Sequence, residues 1–184
     1  IDTAAWNPAT DPHLARGYDA GHLAAKAANK AALQAEYGLE QRHDLPLFGI
    51  VSRLTQQKGL DLIPAIAEAL FALPAQLVVL GSGDKALEAA FRELAAGHPH
   101  LCGGRIGFDE SLAHRLFGGG DLLLMPSRFE PSGLAQMQAM RYGTLPVGSD
   151  VGGPHDTVVD LDAAPAHGTG VVAAEVSAAG VVDA

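Results

Sequence analysis

Four stretches of this sequence group residues that can hold an anion or a sugar. The first, Ser52-Arg53-Leu54-Thr55-Gln56-Gln57-Lys58-Gly59, sets two cations in a loop just ahead of an apolar run that begins at Leu60. Helix N-termini attract anions through free N–H groups and the helix dipole, and arginine can grip a phosphate with two hydrogen bonds. In a chain whose net charge is −9, paired cations at such a loop point to an anionic ligand. Solvated surface charge is the competing reading. The second stretch, Gly81-Ser82-Gly83-Asp84-Lys85-Ala86, fits the G-x-G-x-x-A dinucleotide pattern. It follows the second predicted strand, whereas that pattern normally opens the first unit, and a plain tight turn also accounts for it.

The third stretch is Pro126-Ser127-Arg128-Phe129-Glu130-Pro131-Ser132-Gly133-Leu134. Its prolines and glycine fix the backbone and hold Glu130 in a loop, where a carboxylate can accept hydrogen bonds from sugar hydroxyls. An ordinary turn with a surface glutamate is the alternative. In the fourth, Gly152-Gly153 precedes a helix, with His155 close by. Backbone amides at a glycine pair can approach phosphate oxygens closely, although a plain turn explains the pair equally well. His98-Pro99-His100-Leu101-Cys102 collects metal-ligand types, but no further ligand stands at a matching spacing, so no metal is expected.

Regular elements must position these loops. Leu23 to Tyr37 is alanine-rich and stops at Gly38, which predicts a helix. Leu62, Ile63, Ile66 and Leu70 recur at helical spacing between Leu60 and Phe71. Further helices are expected after Asp84 and Asp109, each of which can cap, over Leu134 to Tyr142, and after Gly152-Gly153-Pro154. Short apolar runs predict strands at Leu47–Val51, Gln76–Leu80, Arg105–Gly107, Asp121–Met125 and Leu145–Val147, with a further one at Val171-Val172. The first twenty residues read as loop, because Pro8 and Pro12 restrict themselves and their predecessors. Strands alternating with helices imply βαβ units and a parallel sheet, which binds ligands at the carboxyl ends of its strands.

Composition narrows the function classes. The 184 residues, 48% hydrophobic and 18% charged, suffice for one well-buried domain and exclude general disorder. The acidic balance argues against broad nucleic-acid binding. The single cysteine, Cys102, excludes an intrachain disulfide framework and fits a reducing compartment. No apolar run reaches the roughly 20 residues of a membrane helix, and Ile1-Asp2-Thr3-Ala4-Ala5-Trp6 has no signal-peptide character. With no initiator Met, the chain is expected to be a fragment or a processed product.

Four segments in order carry a resemblance: Ser52 to Asp61, Arg105-Ile106-Gly107-Phe108, Pro126 to Leu134, and Arg141-Tyr142-Gly143-Thr144-Leu145-Pro146-Val147. Together they closely resemble bacterial glycogen synthase and plant starch synthase over roughly residues 1–160, and Trp6-Asn7-Pro8-Ala9-Thr10-Asp11-Pro12 looks like that family's interdomain segment. The resemblance implies an α/β fold, a Rossmann-like parallel sheet with helices on both faces. This is one half of a GT-B two-domain glycosyltransferase. Residues 1–20 would be the interdomain linker, 21–160 the C-terminal nucleotide-sugar-binding domain, and 161–184 a tail shortened relative to the family. The implied activity is glucose transfer from ADP-glucose to the non-reducing end of an α-1,4-glucan, with retention. The acceptor would be held by an N-terminal domain that this chain lacks. No cofactor, nucleic acid or membrane is implied, and the implied location is a bacterial cytoplasm in preference to a plastid.

Carried over position by position, Arg53 and Lys58 match the cations on the donor diphosphate, and Glu130 matches the glutamate on the donor glucose. Phe108 matches an aromatic position near the adenine. Ser132, Gly133 and Leu134 continue the Glu130 motif, and Gly152 and Gly153 match glycines at the diphosphate. The sequence departs from the family at Ser132 and Ala135, where Cys and Thr are usual. It departs again at Val151 and Pro154, which replace the outer residues of Thr-Gly-Gly-Leu, and at Gly148-Ser149-Asp150, where basic residues are common. These changes fall on the donor side. Two other classes therefore stay open: a non-catalytic nucleotide-sugar-binding module, and an NAD-dependent oxidoreductase domain resting on Gly81 to Ala86 alone.

Overall fold

The computed structural model describes residues 1–173 and 175–183. Six strands, β1 (Leu47–Val51), β2 (Gln76–Gly81), β3 (Cys102–Ile106), β4 (Leu122–Met125), β5 (Leu145–Ser149) and β6 (Val171–Ala173), form one sheet in the order β3-β2-β1-β4-β5-β6. All five pairings are parallel. The helices are α1 (Lys26–Glu36), α2 (Leu62–Ala72), α3 (Lys85–Gly97), α4 (Glu110–Gly119), α5 (Ala135–Arg141), α6 (Gly152–Thr157) and α7 (Ala178–Asp183). This is the doubly wound Rossmann order, with its reversal between β1 and β4.

Strand β2 explains the two-layer burial. Successive side chains point to opposite faces, and every residue of β2 is buried. Leu77 and Val79 join Ile63, Ile66 and Leu70 of α2 and Phe91 of α3 on one face. Val78 and Leu80 join Leu33 of α1 and Leu112, Leu116 and Phe117 of α4 on the other. Each such fully buried side chain contributes roughly 1.5–3 kcal/mol.

Several element ends differ from expectation. The first helix opens as a 3-10 turn at Leu23–Ala25. Strand β3 starts at Cys102, ahead of the expected Arg105. Its two glycines are poor strand formers, but a side chain at Gly103 would collide with Tyr37 at the end of α1, so packing there requires glycine at that position. Asp109 caps α4 by accepting from the Leu112 amide at 2.9 Å. Asp84 makes no such side-chain bond. Glu88 reaches back instead and accepts from the Gly83 amide at 3.1 Å.

Both ends of the chain pack on this body. Residues 1–20 contain no helix or strand, yet Trp6 stacks on His114 of α4, with ring centroids 3.8 Å apart. Asp11 is buried and accepts from the Tyr142 hydroxyl and from His114 Nδ1. Burial pushes the Asp11 carboxyl up, but bonds from Tyr142, the His13 amide and His114 outweigh it and hold it below its ordinary value. Near the other end, β6 pairs with β5 and α7 packs on α2, so this part of the 161–184 segment extends the sheet and one helical layer.

Candidate functional site

Crossovers from β1 and β4 leave the sheet in opposite directions, so their following loops part and open a crevice at the carboxyl ends of these strands. A cavity of about 200 Å³ lies there, lined by Ser52, Arg53, Lys58, Ser127, Glu130, Gly133 and Leu134 among others. A second cavity, of about 240 Å³, adjoins it and shares Val51, Ser52 and Arg53. Its other walls include Gly81, Ser82, Phe108 and Asp109, and they are predominantly apolar. Arg53, which is exposed, therefore borders both spaces. Among the described residues no carboxylate lies within ion-pair range of it.

Lys58 and Glu130 meet in the first cavity. The Lys58 ammonium donates to Glu130 Oε2, and both side chains are largely buried. Lys58 is presented by a 3-10 turn, Gln56–Lys58, which ends at Gly59 with φ +67°. A side chain at Gly59 would overlap the Pro126 carbonyl, so glycine lets the two loops touch. The Glu130 backbone is anchored as well, its carbonyl accepting from the Gly153 amide at 2.9 Å. Phe108, 91% exposed, stands at the second cavity. An aromatic ring that exposed has no core role and is free to stack on a planar ligand.

The other singled-out residues are placed differently. Ser132 lines neither cavity; its carbonyl accepts from Gln136 Nε2 at 3.0 Å. Gly152 and Gly153 lie behind the Glu130 loop. A side chain on either would overlap the Glu130 or Ser132 carbonyl, and the Gly153 amide is already engaged by Glu130. Asp150 pairs with His155 Nδ1 at 2.6 Å. The hydrogen bond to the Asp150 carboxylate raises the His155 pKa above its ordinary value, and neither residue lines either cavity. Side chains at Gly81 and Gly83 would overlap the Ser52 and Leu54 carbonyls. Contact with the β1–α2 loop thus accounts for these glycines without a dinucleotide. Cys102 faces the core, and burial pushes its thiol up to about 12. His98 packs on Phe71, with ring centroids 4.7 Å apart.

Sequence reading gave no role to Arg128 and Asp61. Arg128 Nη1 and Nη2 donate to the two Asp61 carboxylate oxygens at 2.6 and 2.9 Å, and Nη1 also donates to the Gln56 carbonyl at 2.6 Å. The Arg128 guanidinium holds the Asp61 carboxyl below its ordinary value. The two residues stand in separate quoted segments, and nothing in either segment names the other as its partner.

Comparison with known proteins fits this geometry. Residues 37–184 match the family described as Glycosyl transferases group 1. The glycogen synthase of Dechloromonas aromatica (strain RCB) is 62% identical over 161 residues, covering 88% of this chain and 33% of the relative. That of Anaeromyxobacter dehalogenans (strain 2CP-C) is 57% identical over 175 residues, covering 95% of this chain and 37% of the relative. The chain thus spans about a third of the length of these relatives. The catalytic domain of starch synthase IV from Arabidopsis thaliana, solved with ADP and acarbose, superposes with a TM-score of 0.91 at 35% identity, over 98% of this chain and 38% of that one. The C-terminal domain of a group 1 glycosyl transferase from Francisella tularensis shares the fold, with a TM-score of 0.65 at 19% identity, over 100% of this chain and 84% of that one.

Proposed function

Because the chain belongs to the group 1 glycosyl transferases, we propose that it forms the donor half of a glycogen synthase. It binds ADP-glucose in the crevice between the β1–α2 and β4–α5 loops. Together with an acceptor-binding domain it transfers glucose, with retention, to the 4-hydroxyl at the non-reducing end of an α-1,4-glucan. The observation that carries this reading is the meeting of Arg53, Lys58 and Glu130 on one cavity at the sheet's reversal point. ADP in the Arabidopsis relative's structure supports the choice of nucleotide.

The chemistry follows from charge. Breaking the bond between the anomeric carbon and the diphosphate leaves negative charge on phosphate oxygens. Fixed cations stabilise that charge without reorganising, and Arg53 and Lys58 supply them. Glu130, held by Lys58 and by the Gly153 amide, offers a carboxylate to the sugar hydroxyls and favours positive charge at an oxocarbenium-like centre. The exposed Phe108 ring receives the adenine. Gly133 and Leu134 complete the wall beside Glu130, while Gly152 and Gly153 support the loop from behind. The bacterial relatives make a bacterial cytoplasm the proposed setting, and among the described residues no helix is long and apolar enough to cross a membrane.

Calorimetry with ADP and with NAD tests the reading. ADP is expected to bind more tightly. Tighter NAD binding, or no ADP binding, would overturn it in favour of a dinucleotide fold or a site elsewhere.

A further inference from the structure

The β1–α2 loop carries Arg53 and Lys58, and the β4–α5 loop carries Glu130. They belong to crossovers that leave the sheet in opposite directions, so the sheet alone does not fix their separation. Arg128 bridges that gap. Its guanidinium binds the Asp61 carboxylate through two bonds and the Gln56 carbonyl through a third. The Arg128 and Phe129 amides both donate to the Gln57 carbonyl, at 2.9 and 3.4 Å, and Gln57 Nε2 donates back to the Phe129 carbonyl at 3.3 Å. Every anchor on the first loop thus lies within three residues of Lys58, and Arg128 itself is two residues from Glu130. On the far side, the Leu54 amide donates to the Ser82 carbonyl and the Asp84 amide to the Leu54 carbonyl, at 3.0 and 2.8 Å. The β1–α2 loop is therefore tied to its neighbours along both flanks.

We propose that Arg128 is a positioning residue, which clamps the two loops through Asp61 and the Gln56 carbonyl so that the cationic β1–α2 loop, and Lys58 on it, is held in place to receive the donor diphosphate. This rests on the donor-site reading above. Arg128 lines neither cavity, so it acts through the loops rather than on the ligand. A flat guanidinium can hold a carboxylate and a carbonyl at once, whereas a lysine ammonium offers no such fork. The Arg128–Asp61 pair lies at the surface, with side chains 40% and 31% exposed, and pairs of that kind contribute little to global stability. Its removal should loosen the site and leave the fold intact.

The test combines ADP calorimetry with hydrogen exchange on the wild-type chain, Arg128→Ala, Asp61→Ala and the double variant. A charge-assisted bond to phosphate accounts for about tenfold or more in affinity, so each single variant, which no longer holds Lys58 in place, should bind ADP about tenfold more weakly. The double variant should lose little more than Arg128→Ala alone, because that variant already breaks every bond of the clamp that Asp61 makes. Exchange should speed up in residues 52–60 and 126–134 and stay slow in β2. Unchanged ADP affinity in the single variants, losses that add in the double, or loop exchange that does not speed up would each overturn the clamp while leaving the donor site standing. Absence of ADP binding by the wild-type chain would overturn the donor-site reading, and the clamp's role with it. Faster exchange in β2 would show a merely structural role.

Discussion

Replacing Glu130 with Gln should weaken the fold and leave ADP binding intact, because Glu130 is the partner of Lys58 and not a ligand of the diphosphate. Lys58 keeps 16% of its side-chain exposure and Glu130 8%. Breaking a fully buried ion pair costs about 3–5 kcal/mol, while an exposed pair is worth about 0–1 kcal/mol. The cavity admits water to the ammonium and Gln still accepts a hydrogen bond, so a loss of about 1–3 kcal/mol is expected. In a chain of this size each kcal/mol moves Tm by about 2–4 °C, which corresponds to a fall of about 2–12 °C. The freed ammonium then has only phosphate to serve, so ADP should bind Glu130→Gln at least as tightly as wild type. Lys58→Met, in contrast, removes a charge-assisted bond to phosphate worth about 1.5–3 kcal/mol and should weaken ADP by about tenfold to a hundredfold. Thermal unfolding and ADP calorimetry on both variants read these effects. An unchanged Tm for Glu130→Gln, or an ADP loss matching that of Lys58→Met, would refute the assignment of the pair.

Asp11→Asn should lower stability in urea unfolding by about 1–3 kcal/mol at pH 7, because its carboxylate serves Tyr142 and His114 in a buried site. The folded pKa of Asp11 lies below its unfolded value. Its contribution is therefore full above the unfolded pKa of about 4 and disappears as pH falls through the folded value. The gap between wild type and variant should close over that acid range. Phe108→Ala should leave urea stability within about 0.5 kcal/mol, since the ring is exposed, yet weaken ADP in calorimetry. This chain alone should incorporate no labelled glucose from ADP-glucose into glycogen, because transfer needs donor and acceptor oriented together.

Features set by neighbouring residues could be read from the sequence. The periodicity of Ile63, Ile66 and Leu70 predicts the buried face of α2, from which Leu62 is left half-exposed, and Asp109 lies within one turn of the Leu112 amide it caps. Arg53, Lys58 and Glu130 were legible because each lies in a loop directly after an apolar strand, and the sheet's reversal then brings those loops together. Features set by distant partners could not be read. His114 and Asp11 meet across 103 positions and Arg128 and Asp61 across 67, and no local pattern marks such pairs. The start of β3 is hidden in the sequence because glycine's weak strand propensity masks residues that β2 pairing and Tyr37 packing hold in the sheet. Gly152 and Gly153 also make room for the Glu130 and Ser132 carbonyls, a packing role that no local pattern marks.

In the proposed site the cationic loop after β1 receives the diphosphate of the donor. ADP titration of wild type and Arg53→Ala at two ionic strengths tests it most directly. Arg53 borders both cavities, and a charged hydrogen bond to phosphate is worth about 1.5–3 kcal/mol, so Arg53→Ala should bind ADP about tenfold to a hundredfold more weakly. Because Arg53 is exposed, the difference should narrow as salt rises. Equal ADP affinity in the two proteins would place the nucleotide elsewhere and overturn the assignment of Arg53 to the diphosphate.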